Sequence, residues 1–253
     1  MSSATKNPDT EPAPHEGSFP ESREQWARFL SGFVHEIKTP LASLGMVTDL
    51  LARERLAGGS DKASRYTDNL RKLTQEMQSL VQDVGTLARV TGGLNLARSE
   101  PVSPVDVAQR ATETARGGGW ERGVSLSTVA DPDLPAVIHT DPQLLEDALT
   151  GLLETAVVVA DKEVGLRIGL SGADVVFIVE PDRGCGPGQN LEALFDPFEG
   201  GTSRLLKQRG ARPLAPLLSR EISRALGGDV EAVCREDRTA CVLRIPREMP
   251  GEG

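Results

Sequence analysis

The sequence predicts an α+β protein in which an antiparallel helical hairpin precedes an α/β sandwich, and two features of the chain predict it. Apolar residues recur with heptad spacing over two consecutive stretches, about 22–54 and 62–89, separated by a short glycine-containing break. After Arg89 that period stops, and short alternating segments are interspersed with helical ones, the pattern of a mixed sheet covered on one face by helices. The chain accordingly divides into an N-terminal tail (1–20), the hairpin (21–92), the sandwich (93–247) and a C-terminal tail (248–253).

The tail MSSATKNPDTEPAPHEGSFP is rich in Pro, Ser, Thr and charge and buries too little apolar surface to offset the entropy of ordering, so it is expected to be disordered, His15 included. In the first helix Leu30, Ile37, Leu44 and Leu51 form one apolar track, with Val34, Leu41 and Thr48 on the other. Gly58 and Gly59 interrupt the pattern, and Ser60 and Asp61 offer side-chain oxygens to cap a second helix that starts near Lys62. That helix repeats the seam with Tyr66, Leu73, Leu80 and Leu87 beside Leu70, Met77 and Val84. A lone hairpin leaves one side of so wide a stripe wet. Pairing two copies into a four-helix bundle buries it, which predicts a homodimer.

Beyond the hairpin, TGGLNLARSEPVSP carries turn residues and a short alternating strand. Helices are predicted near 105–116, 142–160 and 215–226, and strands near 124–129, 136–139, 165–170, 175–180, 229–234 and 240–245. With aromatic residues at only 4% and a single Tyr, the core must be built from Leu, Val, Ala and Ile.

Composition also excludes. A net charge of -9 opposes the counterion release on which nucleic-acid binding depends, so no nucleic-acid partner is expected. No stretch approaches the roughly 20 apolar residues of a membrane span, and the first residues lack the order of a signal peptide. No membrane insertion and a cytoplasmic location follow as expectations. Cys185, Cys234 and Cys241 are too few for a disulfide framework, and Cys-x6-Cys without a nearby His is a poor metal site. Three reduced thiols and no metal are predicted.

The chemistry concentrates in FVHEIKTPLASL. His35 follows the seam position Val34 and so falls beside the seam, on the solvent side. An imidazole, with an ordinary pKa of about 6.5, is substantially neutral near pH 7, and its free nitrogen can attack phosphorus. Glu36 is the adjacent carboxylate; accepting from Nδ1–H would fix the tautomer and make Nε2 more nucleophilic. Thr39 lies four residues on, on the same helical face, where its hydroxyl could align a water. Pro40 removes a backbone donor just beyond.

The whole string, His-Glu-x-x-Thr-Pro-Leu on one arm of a helical hairpin, resembles the H box of two-component histidine kinases, and the resemblance covers about 22–246. It implies that 21–92 is a dimerisation and histidine-phosphotransfer hairpin and that 93–247 is a sandwich of the histidine-kinase ATPase type. By the same resemblance His35 is the phosphoacceptor, Glu36 the acid/base residue of the kinase step, and Thr39 the residue that orients water when a response regulator is dephosphorylated.

The second part matches that family unevenly. Where the family's helix reads Asn-Leu-Leu-x-Asn-Ala-x-Lys, the stretch DPQLLEDALTGLLETAVVVA puts Gly151 and Thr155 at the asparagines and Val158 at the lysine. Magnesium needs hard oxygen ligands, which Gly and Val cannot supply. Asp182, Gly184 and Gly186 keep the Asp-x-Gly-x-Gly spacing and so resemble a vestigial adenine site, while Phe195-Asp196-Pro197-Phe198 matches the segment before the family's nucleotide lid. The family's glycine-rich box falls on 211–216, where Pro213 and Pro216 lack the N–H groups that a phosphate cradle uses.

Three functions are consistent with this pattern. The leading one is phosphoryl transfer between His35 and the Asp of a response-regulator receiver domain, or hydrolysis of that phosphate, with no cofactor beyond the receiver's own magnesium and with ATP binding lost. The second is an active soluble autokinase that uses ATP and magnesium. The third is a non-catalytic dimeric scaffold for receivers or for another histidine kinase, which would phosphorylate His35 in trans.

Overall fold

The computed structural model describes residues 23–57, 61–91, 98–183, 191–196, 212–235 and 238–248; the predicted tail 1–20, and all of the predicted tail 248–253 except Glu248, lie outside them. Two long helices, α1 (Arg23–Ala57) and α2 (Asp61–Thr91), form the hairpin, with Pro40 inside α1. The seam follows the predicted tracks along α2, where Leu80 and Leu87 are buried, and only in part along α1, where Ile37, Leu44 and Leu51 are half-buried. There Val47, on neither predicted track, is buried, while Leu30, Val34 and Leu41 are 51%, 47% and 55% exposed. An α-helix turns 3.6 residues per turn rather than 3.5, so a heptad track drifts off a single facing helix over several turns. Leu30, Val34 and Leu41, drawn from both predicted tracks, remain as an apolar stripe on the outside of the hairpin.

The remainder is a mixed sheet with helices on one face, as the sequence predicts. Strands β2 (Ser125–Ala130), β4 (Glu163–Ser171), β5 (Asp174–Pro181), β6 (Asp229–Arg235) and β7 (Arg238–Pro246) assemble in the order β2-β4-β5-β7-β6. Only β2 and β4 run parallel, and α4 (Pro142–Val159) makes the crossover between them. The short strand after the hairpin is β1 (Glu100–Val102), which pairs antiparallel with β3 (Ile138–Thr140) beside the main sheet.

Helices α3 (Pro104–Arg122), α4 and α5 (Ala215–Ala225) cover the inner face. Leu145, Leu149 and Leu152 of α4 meet Val164, Leu166 and Ile168 of β4 and Val175, Phe177 and Val179 of β5 in a continuous core. Phe177 is the largest side chain fully buried there, as a chain poor in aromatics requires. Helix α3 runs to Arg122 rather than stopping near Arg116, passing through Gly117, Gly118 and Gly119; Gly123, at φ +71°, ends it in the left-handed region that Gly tolerates best. At the other end of the sandwich a Cβ on Gly228 would collide with the backbone of Arg244, so only Gly fits the turn between α5 and β6.

Asp141 fixes the start of α4. One carboxylate oxygen accepts the N–H groups of Gln143 and Leu144 (3.0 and 2.9 Å), and the other accepts Arg98 N–H at 2.8 Å. A single side chain thus caps the central helix and ties down the segment that leaves the hairpin.

The cysteines correct the expectation of three reduced thiols. Cys241 is free, and burial pushes its thiol up to about 12, but Cys234 is disulfide-bonded; Cys185 lies outside the described residues. A single bridge needs only two thiols brought within reach by the fold, which a count of cysteines does not reveal. Among the described residues no helix is long and apolar enough to cross a membrane.

Candidate functional site

The His35 segment lies in α1, and its height along the hairpin follows from the backbone. His35 lies 22 residues before the end of α1, and Asp83 lies 22 residues after the start of α2. Equal rises of about 1.5 Å per residue put both positions at one level, roughly 33 Å from the connecting turn. The side chains of His35 and Glu36 lie outside the described residues; Thr39 is exposed on α1, and its carbonyl accepts the Ser43 hydroxyl at 3.0 Å.

At that level α2 turns a charged residue inward. Asp83 is only 3% exposed, and its Oδ1 accepts a hydrogen bond from Arg212 Nη1 at 2.9 Å. Arg212 Nε donates to Glu154 Oε2 of α4, also at 2.9 Å, so one guanidinium joins the hairpin to the sandwich. Asp83 Oδ2 is buried with no hydrogen-bond partner. Burial, only partly opposed by Arg212, pushes the Asp83 carboxyl up to about 6, and burial likewise raises Asp147 nearby on α4. Burial disfavours the Arg212 cation, but Glu154 and Asp83 outweigh it and hold its pKa above the ordinary value.

The positions that the resemblance assigns to metal and triphosphate are packed. Gly151, Thr155 and Val158 are all buried in α4. A Cβ on Gly151 would stand 2.6 Å from Ser219 Oγ and 3.3 Å from the Ala215 carbonyl oxygen, because α5 lies directly on this face. The Ser219 hydroxyl lies 2.8 Å from the carbonyl oxygens of both Ala148 and Ala215, and Thr155 Oγ1 donates to Gly151 O at 2.8 Å. Pro216 sits in the first turn of α5, where its missing N–H costs nothing.

Of the predicted adenine residues, Asp182 is described, whereas Gly184 and Gly186 lie outside the described residues. The two Asp182 carboxylate oxygens accept the N–H groups of Asp161 and Lys162 at 2.8 and 2.9 Å, bracing the turn from α4 into β4. Slight desolvation works against its charge, but the N–H groups of Asp161, Lys162 and Glu163 outweigh it and hold the carboxyl below its ordinary value. Phe195 is buried under the Arg220 guanidinium, 4.7 Å from the ring centroid, and Arg220 in turn binds Glu192 at 2.7 Å. Pro197 and Phe198 lie outside the described residues.

Sequence reasoning missed Asp83, Glu154 and Arg212. One signal was present: Leu80, Asp83 and Leu87 are spaced i, i+3, i+7, which places an acid on an apolar helical face. Elsewhere, a hollow of about 540 Å³ on the outer face of the sheet is lined by Asp131, Arg167, Val176, Ile178, Val242 and Arg244, and the sheet separates it from α4 and α5.

Residues 25–93 match the family model of the His Kinase A (phospho-acceptor) domain. The sensor protein TorS of Escherichia coli is 27% identical over 226 residues, covering 86% of this chain and 24% of TorS. The chain thus spans about a quarter of the length of such relatives, with 23% for the sensor protein GacS of Pseudomonas syringae. Among solved structures, the Acinetobacter baumannii histidine kinase AdeS superposes with a TM-score of 0.66 at 15% identity, covering 86% of this chain and 98% of that one. The histidine kinase ThkA, in complex with the response regulator protein TrrA, superposes with a TM-score of 0.63 at 15% identity, covering 89% of this chain and 61% of that one. At such identities the superpositions speak for the fold.

Proposed function

We infer that this chain is a member of the two-component histidine kinase family, and from that premise we propose that it exchanges a phosphoryl group between His35 and the aspartate of a response-regulator receiver domain without using ATP. The observation that carries this reading is the state of α4: the resemblance asks for oxygen and amine ligands where Gly151, Thr155 and Val158 are buried, and α5 closes over the first of them. That donor set does not fit a magnesium–triphosphate group. Phosphate then has to arrive on a protein, and ThkA, a relative by fold, forms a complex with a response regulator.

In the transfer, His35 Nε2 attacks the phosphorus of the receiver's aspartyl phosphate; the N–P bond forms as the P–O bond breaks, and the receiver's carboxylate leaves. Glu36 holds the imidazole in the nucleophilic tautomer. In hydrolysis, Thr39 aligns a water that attacks the same phosphorus and releases inorganic phosphate; its exposed place on α1 leaves room for a docked receiver. The uncovered stripe Leu30, Val34 and Leu41 supports a homodimer through residues 21–92.

The test is to mix the protein with radiolabelled phosphorylated receivers. Label should move to the wild type or be lost as inorganic phosphate, and His35→Ala should abolish the transfer. Calorimetry with a non-hydrolysable ATP analogue and magnesium should show no binding at millimolar concentration. Labelling of wild type but not His35→Ala from ATP would establish an autokinase instead. No transfer from any receiver, with binding retained, would establish a scaffold.

A further inference from the structure

The geometry points to Arg212 as a positioning residue that docks the sandwich on the hairpin at the level of His35, by an ion-paired joint to Asp83 and Glu154 that needs no nucleotide. Three observations carry it. First, the guanidinium spans two parts of the chain: Nη1 reaches Asp83 of α2 and Nε reaches Glu154 of α4, both at 2.9 Å, and α5 begins just after it at Ala215. Second, the joint is enclosed where it meets the hairpin. Asp83, Thr86 and Leu87 are buried there against the sandwich, and Asp83 Oδ2 has no hydrogen-bond partner, so this carboxylate depends on Arg212 for its compensation. Third, Asp83 and His35 are the same number of residues from the hairpin turn, so the docked sandwich stands beside the phosphoacceptor rather than at the foot of the bundle.

The chemistry of the joint suits arginine alone. Two carboxylates approach from different helices, and only a planar fork with several fixed donors can satisfy both at once; a lysine ammonium is a point charge on a flexible stem. Arg212 also stands in the stretch where the resemblance places a phosphate cradle, between residues that cannot form one. A side-chain cation thus ties the sandwich to the hairpin through groups that the chain itself supplies. The side of α2 at the level of His35 is thereby walled off. A receiver approaches from the α1 side, where Thr39 is exposed, with the sandwich as a fixed flank of its docking site.

This assignment rests on the phosphotransfer reading for its functional half and on structure alone for the other half, and the experiment separates them. Backbone hydrogen exchange of residues 83–91 is measured in the full chain for wild type, Arg212→Lys, Arg212→Met, Asp83→Leu and the double variant Asp83→Leu/Arg212→Met, with and without ATP and magnesium. In parallel, transfer from a phosphorylated receiver is resolved into kcat and KM. Arg212→Met and Asp83→Leu should each speed exchange over 83–91 at least tenfold and raise KM about tenfold with kcat within twofold, since the reacting groups sit on α1. Arg212→Lys should fall between. The double variant, with an apolar pair in place of the buried ions, should recover protection and KM, which a general loss of folding would not allow. ATP should leave every exchange pattern unchanged. Unchanged protection in Arg212→Met overturns the joint, and lost protection with an unchanged KM overturns its positioning role. A wild type inert toward every receiver overturns the phosphotransfer reading, and the joint then stands or falls on protection alone.

Discussion

Gly151 of α4 and Ser219 of α5 are packed so closely that a Cβ on the glycine would stand 2.6 Å from the serine hydroxyl oxygen. That close approach, with the Ser219 hydroxyl 2.8 Å from the Ala148 carbonyl oxygen, leaves no room for a side chain at the position where the resemblance expects an asparagine. Gly151→Asn therefore should not restore nucleotide binding. It should destabilise the fold by about 1–3 kcal/mol, the usual penalty of overpacking a tight interior. Urea unfolding gives the stability, and calorimetry with an ATP analogue gives the binding; heat of binding in the variant would show that α5 yields.

Asp83 makes stability depend on pH in an unusual direction for a carboxylate. Its folded-state pKa is raised from 3.8 to about 6, so the folded protein holds this proton more tightly than the unfolded chain does. The contribution is fully present below about pH 4 and is lost as pH rises through 6. Two units correspond to about 3 kcal/mol at most. Asp83→Asn should flatten this fall between pH 4 and 6 when urea midpoints are compared, leaving a smaller residue from Asp147, whose carboxyl is raised in the same direction. A slope as steep as that of the wild type would show that Asp83 titrates normally.

Asp141→Ala removes at once the acceptor of three backbone N–H groups, those of Arg98, Gln143 and Leu144. A lost cap costs about 1 kcal/mol, and the part-buried Arg98 N–H left unpaired adds up to about as much again. The variant should lose roughly 2 kcal/mol without a change in its subunit count, as measured by urea unfolding and sedimentation. A loss below about 0.5 kcal/mol would mean that water replaces the carboxylate.

Val34→Glu combined with Leu41→Glu places two charges on the uncovered stripe of α1. Both residues are exposed within one chain, so the monomer should fold normally. The proposed dimer should dissociate in sedimentation equilibrium at micromolar concentration, because burying unpaired carboxylates in a four-helix seam costs several kcal/mol. A dimer of undiminished affinity would place the subunit contact elsewhere.

Local patterns made most of the architecture legible. Heptads announced α1 and α2, alternation announced the strands, and the helical pattern over 142–160 announced α4. The failures share a cause. Which α1 residues pack inward depends on the partner helix, so Val47 was not foreseen; α3 continues through three glycines because its end is set by Gly123 and not by propensity. Of the candidate site, the string around His35 could be read directly, whereas the Asp83–Arg212 pair could not. Those residues lie 129 positions apart, and no periodicity reaches that far.

That separation limits how freely the two parts can be exchanged with those of other proteins. A hairpin cut away from this sandwich keeps its helical spacing but bares Leu87, which is 2% exposed in the whole chain, and strands an acid on its apolar side. A chimera joining this hairpin to a foreign sandwich would need a neutral residue at 83, or a cation delivered from the newcomer. Modular as the chain looks when read from end to end, Asp83 and Arg212 are two halves of a single inheritance.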